Sequence, residues 1–270
     1  MKYINKLGST KRLLYFFYIS QKIKLKNLFF AKEKNDYLFI LSPPFCGSTI
    51  VTQIISSSQN VSCNNNIGLM EGQHLPKAKD ILFTDDRWEE GKKINWDNIK
   101  VIWHKYWDLS KQILIEKSPP NIIRTNDIIQ TFHGVKFICL VRNPYAQIQS
   151  NIRRYNTETS QATIKYIDYL KYQKTNYENN DAILIKYEEL TENPQLIKKQ
   201  ICDFFPSLKD IKMDLKFSAH NIRNKKELHL TNLNQESISL LTANQIETIN
   251  NILVKETSIL AFFNYSIIKK

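Results

Sequence analysis

The chain has 270 residues, of which 42% are hydrophobic and 24% charged, a balance that fits a folded globular protein and excludes a disordered one. Only six glycines are present, against collagen-like or glycine-linker architectures, and no run reaches the ~18 apolar residues of a membrane-spanning helix. Lys and Arg outnumber Asp and Glu by 38 to 26, and the resulting +12 attracts anions in general. No stripe of Arg with interleaved aromatics accompanies that charge, so nucleic acid is not an expected partner.

Residues 1–35 form a basic arm with nine Lys or Arg and one acid, Glu33. The run Leu13 to Ile19 lies within it, too short and wrongly flanked for a signal peptide. A helix docked on the domain is the plainer reading; a basic amphipathic segment resting on an anionic membrane is the other. From residue 36 onward one domain is expected. Tyr37–Leu41 reads as a strand, Pro43-Pro44 as a break, and Ile50–Ile55 as a helix. Residues 70 to 110 lack strand pattern and read as a helical insertion. It contains Trp88, Trp96, Trp103 and Trp107, as the wall of a substrate pocket, as a small core of their own, or as both at once. Strands follow at Gln112–Ile115, Val135–Val141 and Ala182–Ile185. Helices are expected over 122–132, 145–155, 162–177, 194–205 and 243–263. Buried strands alternating with helices predict an α/β, P-loop-like three-layer fold with a central parallel sheet flanked by helices. Cys46, Cys63, Cys139 and Cys202 lie far apart and form no C-x-x-C pair. No metal or disulfide is expected, and a reducing, cytoplasmic compartment fits, with the arm as the candidate membrane contact.

The first strand runs into Pro44-Phe45-Cys46-Gly47-Ser48-Thr49 and then a helix. Backbone N–H groups of such a turn converge with the positive end of the helix dipole on one point, a layout for phosphate. The same residues also make an ordinary turn and cap. A nucleotide-hydrolysing P-loop needs G-x-x-x-x-G-K-[ST]; the first Gly and the Lys are missing, which disfavours ATP chemistry and a kinase. Arg142 stands just past a second strand, where open α/β sheets bind ligands. Ser150 follows eight residues later, about 12 Å along a helix. The two can face one anion from two sides, Arg142 with a planar fork matched to phosphate.

These segments together resemble the sulfotransferase family that uses 3′-phosphoadenosine 5′-phosphosulfate (PAPS). Pro44–Thr49 lies over the family's P-[RK]-[ST]-G-[ST]-[ST] loop, which holds the 5′-phosphosulfate. Leu140-Val141-Arg142-Asn143-Pro144 with Ser150 is similar to its R-x-P…Ser signature for the 3′-phosphate. Glu116-Lys117-Ser118-Pro119 resembles an E-K-[ST]-P element, Tyr187-Glu188-Glu189-Leu190 a Y-E-x-L element, and Phe263-Asn264-Tyr265 the closing F-G-Y. The resemblance runs from about residue 36 to 266 and is closer to the carbohydrate and tyrosylprotein branch than to the phenol branch.

It implies PAPS as co-substrate, no metal, and a hydroxyl or amine acceptor on a small molecule or glycan. It implies Pro44, Phe45, Cys46, Gly47, Ser48, Thr49, Arg142, Ser150 and Tyr187 around the nucleotide, with Arg223, Asn224 and Lys225 reaching the 3′-phosphate from a later loop. Phe45 departs from the family pattern, which carries Lys or Arg there; Lys117 is the candidate replacement cation. Sulfuryl transfer also needs a base for the acceptor proton. Glu71, in Met70-Glu71-Gly72-Gln73-His74, is favoured, with a flanking Gly that permits an exposed backbone; His74 and His104 are rivals because imidazole titrates near neutrality. Glu116 reads alternatively as a structural partner of Lys117, and Arg153-Arg154 as a basic mouth or a solvated helix end. The loss of charge at Phe45 keeps open a second reading, a nucleotide-binding protein of the same fold with impaired transfer. Oligomeric state is not indicated.

Overall fold

The computed structural model describes residues 9–217 and 229–268. Among them, five strands form one parallel sheet: β1 (Asp36–Leu41), β2 (Val61–Cys63), β3 (Ile113–Glu116), β4 (Lys136–Val141) and β5 (Ala182–Lys186). Their spatial order is β2-β3-β1-β4-β5. β1 lies at the centre, with Phe39 level with Glu116 of β3 on one side and Phe137 of β4 on the other. The helices are α1 (Ser9–Phe30), α2 (Ser48–Ile55), α3 (Lys79–Leu82), α4 (Trp96–His104), α5 (Thr125–Thr131), α6 (Pro144–Tyr155), α7 (Thr159–Asn179), α8 (Tyr187–Glu192), α9 (Pro194–Phe204), α10 (Asn234–Ile238), α11 (Ala243–Leu253) and α12 (Thr257–Phe262). The expected α/β fold with a central parallel sheet flanked by helices is what forms.

Alternation along the strands sends side chains to two cores. Leu38, Ile40, Ile113, Ile115, Ile138 and Leu140 face α2 and α9 through Val51, Ile54, Ile197 and Ile201. Tyr37, Phe39, Leu114 and Phe137 face the other way, onto Trp103, Trp107 and Phe132. A third cluster joins α6, α7, α11 and α12 around Tyr145, Tyr166, Ile249 and Phe263. The helices that follow β1 and β4 thus pack on opposite faces of the sheet. This opens a crevice at the carboxyl ends of two neighbouring strands, the switch point where such sheets bind ligands. Gln173 of α7, fully buried, donates to the carbonyls of Leu41 (2.7 Å) and Leu140 (2.9 Å) and so fixes those two strand ends together.

Several expectations are corrected. β2 is only three residues long, too short for periodicity to register, and was not expected. The 70–110 insertion contains one helix longer than a turn or so, α4; the rest is α3 and 3₁₀ turns at Gly72–His74 and Asp85–Trp88. The expected helix over 122–132 divides into a 3₁₀ turn at Pro119–Ile123 and α5, and the one over 243–263 breaks at Val254–Glu256. The tryptophans do not wall a pocket as a group. Trp96, Trp103 and Trp107 belong to the main core on one face of the sheet, and only Trp88 stays half-buried, beside Tyr169. The arm contributes α1, which docks through buried Phe16. Asn27 donates to Trp107 O (3.0 Å) and accepts from Leu109 N (2.8 Å).

Trp103 stacks near Phe132 and meets Trp96, Trp107 and Phe39 within about 6 Å. Trp103→Ala is expected to cost about 3–5 kcal/mol, the range for an emptied aromatic core site. Trp88→Ala should cost well under half of that. Urea denaturation of both variants checks this; equal losses would contradict the placement of Trp103 in the main core.

Candidate functional site: two polar clusters at the carboxyl edge of the sheet

The phosphate-loop candidate leaves β1 at Ser42. Phe45 and Gly47 both take positive φ, 69° and 85°. For a bulky residue such as Phe45 that is uncommon and marks backbone held in place by its surroundings. A Cβ on Gly47 would lie 2.8 Å from the Tyr187 ring, so glycine is required by space as well as by φ. Gly47 is also the N-cap of α2, and no side chain caps that helix start. Ser48 and Thr49 therefore lie inside the helix instead of capping it, and the loop's N–H groups are not consumed by a side-chain cap. Cys46 is buried; its thiol donates to Gln147 Oε1 (3.1 Å), and burial pushes its pKa up, so it behaves as packing. Gln147 also donates to Pro44 O (3.1 Å), fastening the loop to α6.

Arg142, at the end of β4, is 7% exposed. Its Nη1 donates to Phe45 O (3.0 Å), its Nε to Asn234 Oδ1 (2.8 Å), and its Nη2 to Ser237 Oγ (3.4 Å). The guanidinium also lies 4.6 Å from the centre of the Tyr187 ring, a cation–π contact. Among the described residues three of its five N–H donors find a partner, and the other two are open to an anion. Ser150 stands three residues beyond Gln147 on α6, on the same helix face, and donates to Ala146 O (2.8 Å). The phosphate loop, Arg142 and Tyr187 thus meet at the carboxyl ends of β1, β4 and β5, and Ser150 lies one helical turn beyond Gln147, which fastens the loop to α6. Glu188 ties this junction together, accepting from Asn143 N (2.8 Å), Asn234 Nδ2 (2.6 Å) and Tyr265 OH (2.9 Å). Tyr187 starts α8, immediately after β5, and donates to Thr231 O (2.9 Å). Arg223, Asn224 and Lys225 lie outside the described residues.

The second cluster follows β3, next to β1. Lys117 is 1% exposed and Glu71 5%. Lys117 Nζ donates to Glu71 Oε1 (3.0 Å) and Leu69 O (2.7 Å). Gln73 donates to Glu71 Oε2 (2.5 Å), and His74 Nε2 is 3.1 Å from the same oxygen. Burial alone would raise the Glu71 pKa; the Lys117 charge and the His74 and Gln73 hydrogen bonds outweigh it and hold it at about 2. Neighbouring Glu116 is fully buried, and that burial lifts its pKa to about 7 against hydrogen bonds from Ser118 and Gly72 and the Lys117 charge. It accepts from Gly72 N (2.8 Å), Ser118 Oγ (2.6 Å) and Asn121 Nδ2. Glu116 is therefore the brace of the 70–73 turn. The exposed backbone expected at Gly72 is not found: Gly72 is buried, and a Cβ there would lie 2.6 Å from Glu116 Oε1 and from Asn64 Nδ2. Beside this cluster a narrow recess is bordered by Gln73, Arg87, Trp96, Ser118, Asn121 and Arg124. Among the described residues, the buried atoms Gln73 Oε1 and Arg124 Nε find no hydrogen-bond partner.

His104 is set aside as a base. It packs on Tyr37, at the opposite, amino end of β1, with Tyr37 Oη 3.0 Å from its Nε2. Burial and the Lys100 charge lower its pKa to about 4. Arg153 and Arg154 are exposed on the last turn of α6, beside Tyr155, whose ring lies 5.5 Å from that of Phe45. Sequence reasoning missed Gln147, Asn234 and Ser237, which set the loop and Arg142. Among the described residues no group of three His, Cys, Asp or Glu side chains is placed to hold a metal ion.

A family model described as "Sulfotransferase family" matches residues 37–207, more than half of the chain. The chain belongs to the sulfotransferase family. Solved structures share the fold. The sulfotransferase domain of the Synechococcus PCC 7002 olefin synthase aligns with a TM-score of 0.51 at 18% identity, over 82% of this chain and 95% of that one. Sulfotransferase STF9 from Mycobacterium avium gives 0.55 at 11% identity, over 93% and 83%. A sulfotransferase from Alicyclobacillus acidocaldarius gives 0.51 at 11%, over 87% and 98%. No curated protein matches the chain. Family membership makes the chain a transferase, and the kinase reading is left without support.

Removing Lys117 strands the Glu71 charge in the interior. Lys117→Met is expected to cost about 3–5 kcal/mol, and adding Glu71→Gln should recover a large part of it. Urea titrations of the cycle test this; additive losses would show the two side chains to be uncoupled. The pH dependence follows from the same pair. A carboxylate depressed to about 2 adds stability that is complete above its unfolded pKa of ~4.3 and is lost as pH falls from there through about 2. The double variant should lose that acid limb.

Proposed function

We propose that this sulfotransferase moves a sulfuryl group from PAPS to a hydroxyl or amine of an acceptor, most consistently a carbohydrate hydroxyl. The observation that carries the reading is the Arg142 Nη1–Phe45 O bond, which joins the two nucleotide signatures of the sequence at one crevice. In this reading the N–H groups from Phe45 to Thr49 and the start of α2 hold the 5′-phosphosulfate. Arg142 takes the 3′-phosphate with its two remaining donors, and Ser150 assists by turning its hydroxyl away from Ala146 O. Tyr187 backs the guanidinium.

Transfer is an in-line displacement: the acceptor oxygen forms the new S–O bond as the bond to the bridging phosphate oxygen breaks, and the acceptor proton passes to a base. Adenosine 3′,5′-bisphosphate leaves. Such chemistry rests on positioning and on donors aimed at developing charge. Glu71 stays ionised across the physiological range, but its oxygens are already engaged by Lys117, Gln73 and His74. His74 is the more open member of the cluster, with a side chain 19% exposed. It takes the proton in this reading, and Glu71 orients the ring and balances the imidazolium, as a carboxylate does behind a catalytic histidine. Lys117 holds Glu71 in place and balances its charge.

Phe45 and the burial of Lys117 favour a second reading, a protein that binds the nucleotide and transfers poorly. Calorimetric titration with adenosine 3′,5′-bisphosphate and transfer from radiolabelled PAPS to a carbohydrate and phenol panel separate the two. The first reading expects saturable binding and transfer to sugars. Binding without transfer to any acceptor selects the second, and no binding at all removes both. Arg142→Lys should weaken nucleotide binding about 10- to 100-fold, since the planar fork is worth 1.5–3 kcal/mol as charged hydrogen bonds.

A further inference from the structure

α1 is apolar on two opposite sides. Phe16 is buried in the core, Ile19 packs against it, and Asn27 is hydrogen-bonded to the 107–109 segment. At about 100° per residue these three fall on one side of the helix. Leu14, Phe17, Tyr18, Leu25, Leu28 and Phe29 fall within an arc of roughly 120° on the other side. Each is 61–72% exposed. A surface helix ordinarily presents polar residues there. Six large exposed side chains share one face, interrupted midway by Gln21, and an exposed apolar surface of that size is of the kind that marks an interaction site.

The charges of the helix select the occupant. Between Ser9 and Phe30 stand Lys11, Arg12, Lys22, Lys24 and Lys26, and no acid. Lys11, Arg12, Lys22 and Lys24 are exposed, Arg12 lying over the Phe16 ring, and among the described residues only Lys26 of these five has an acidic partner, Asp108 at 2.6 Å. A second copy of the chain would set two such cationic helices against each other. It would also bury little: 22 residues make a helix about 33 Å long and about 10 Å wide, roughly 330 Å² per partner. A stable dimer needs about 800 Å² from each side. Nor is this helix a membrane span, since no helix among the described residues is long and apolar enough to cross a bilayer. An apolar face flanked by uncompensated Lys and Arg fits an anionic lipid surface, where the apolar side chains enter the acyl boundary and the cations stay at the headgroups.

We propose that α1 is a docking helix that rests the folded domain on anionic membranes through Leu14, Phe17, Tyr18, Leu25, Leu28 and Phe29. The proposal stands apart from the catalytic reading, because it uses no residue of the crevice.

Co-sedimentation of the full chain with vesicles tests it. Phosphatidylcholine vesicles containing about 30% phosphatidylserine should bind the protein, and phosphatidylcholine alone should bind it weakly. Raising salt to about 0.5 M should release much of it. Leu14→Ser/Phe17→Ser/Leu28→Ser should reduce binding about ten-fold or more, with an unchanged melting temperature because these side chains touch solvent. Lys11→Gln/Lys22→Gln/Lys24→Gln should abolish the preference for phosphatidylserine. The proposal is overturned if the wild-type chain ignores phosphatidylserine vesicles, or if the serine variant binds them as well as wild type. It is also overturned if sedimentation velocity shows a dimer that the serine variant dissolves, since the patch would then belong to a second copy.

Discussion

The site depends on one guanidinium being held between two strand ends. Arg142 leaves β4 and reaches the carbonyl of Phe45 on the loop after β1, while Asn234 and Ser237 hold it from α10 and Tyr187 supports its face. A buried cation is tolerated only when its donors and its charge are met. Among the described residues, three donors are met by neutral groups and no carboxylate pairs with the guanidinium directly. A dianionic phosphate beside it would complete that balance. The strain at Phe45 and the missing Cβ at Gly47 belong to the same constraint, since the loop must curl tightly enough to present its carbonyl to Arg142 and its N–H groups to the crevice.

The second cluster is organised differently. Lys117 and Glu71 neutralise each other in the interior, and Glu116 braces the turn that carries Glu71 through the Gly72 amide. Such a pair fixes geometry more than it adds stability. It places His74 at the open edge with an ionised carboxylate behind it. Charge is thereby arranged as an open cationic site on β4 and a closed ion pair on β3, with the phosphate loop between them.

Much of this was legible in the sequence because parallel strands buried on both faces read as continuous apolar runs. Leu38–Leu41 and Phe137–Val141 show it, and the loops that follow them carried recognisable residues. Glu71, His74 and Lys117 were each singled out in the sequence, but the partner expected for Lys117 was Glu116; the structure pairs Lys117 with Glu71 instead, because Glu116 is taken up by Gly72, Ser118 and Asn121. Val61–Cys63 was not anticipated, being too short to show a period. The tryptophans misled because a run of large aromatics between strands looks the same whether it lines a pocket or packs beneath the sheet. Only the strand order puts Trp103 under Phe39. Asn234 and Ser237 lie more than 90 residues from the arginine they hold, and no local pattern announces such partners.

The central claim is that the loop after β1 and the element after β4 grip one ligand together. Amide hydrogen exchange with and without adenosine 3′,5′-bisphosphate measures it directly. Slowed exchange is expected at both Phe45–Thr49 and Asn143–Ser150, rising together with nucleotide concentration. Protection confined to one of the two segments would contradict the shared grip.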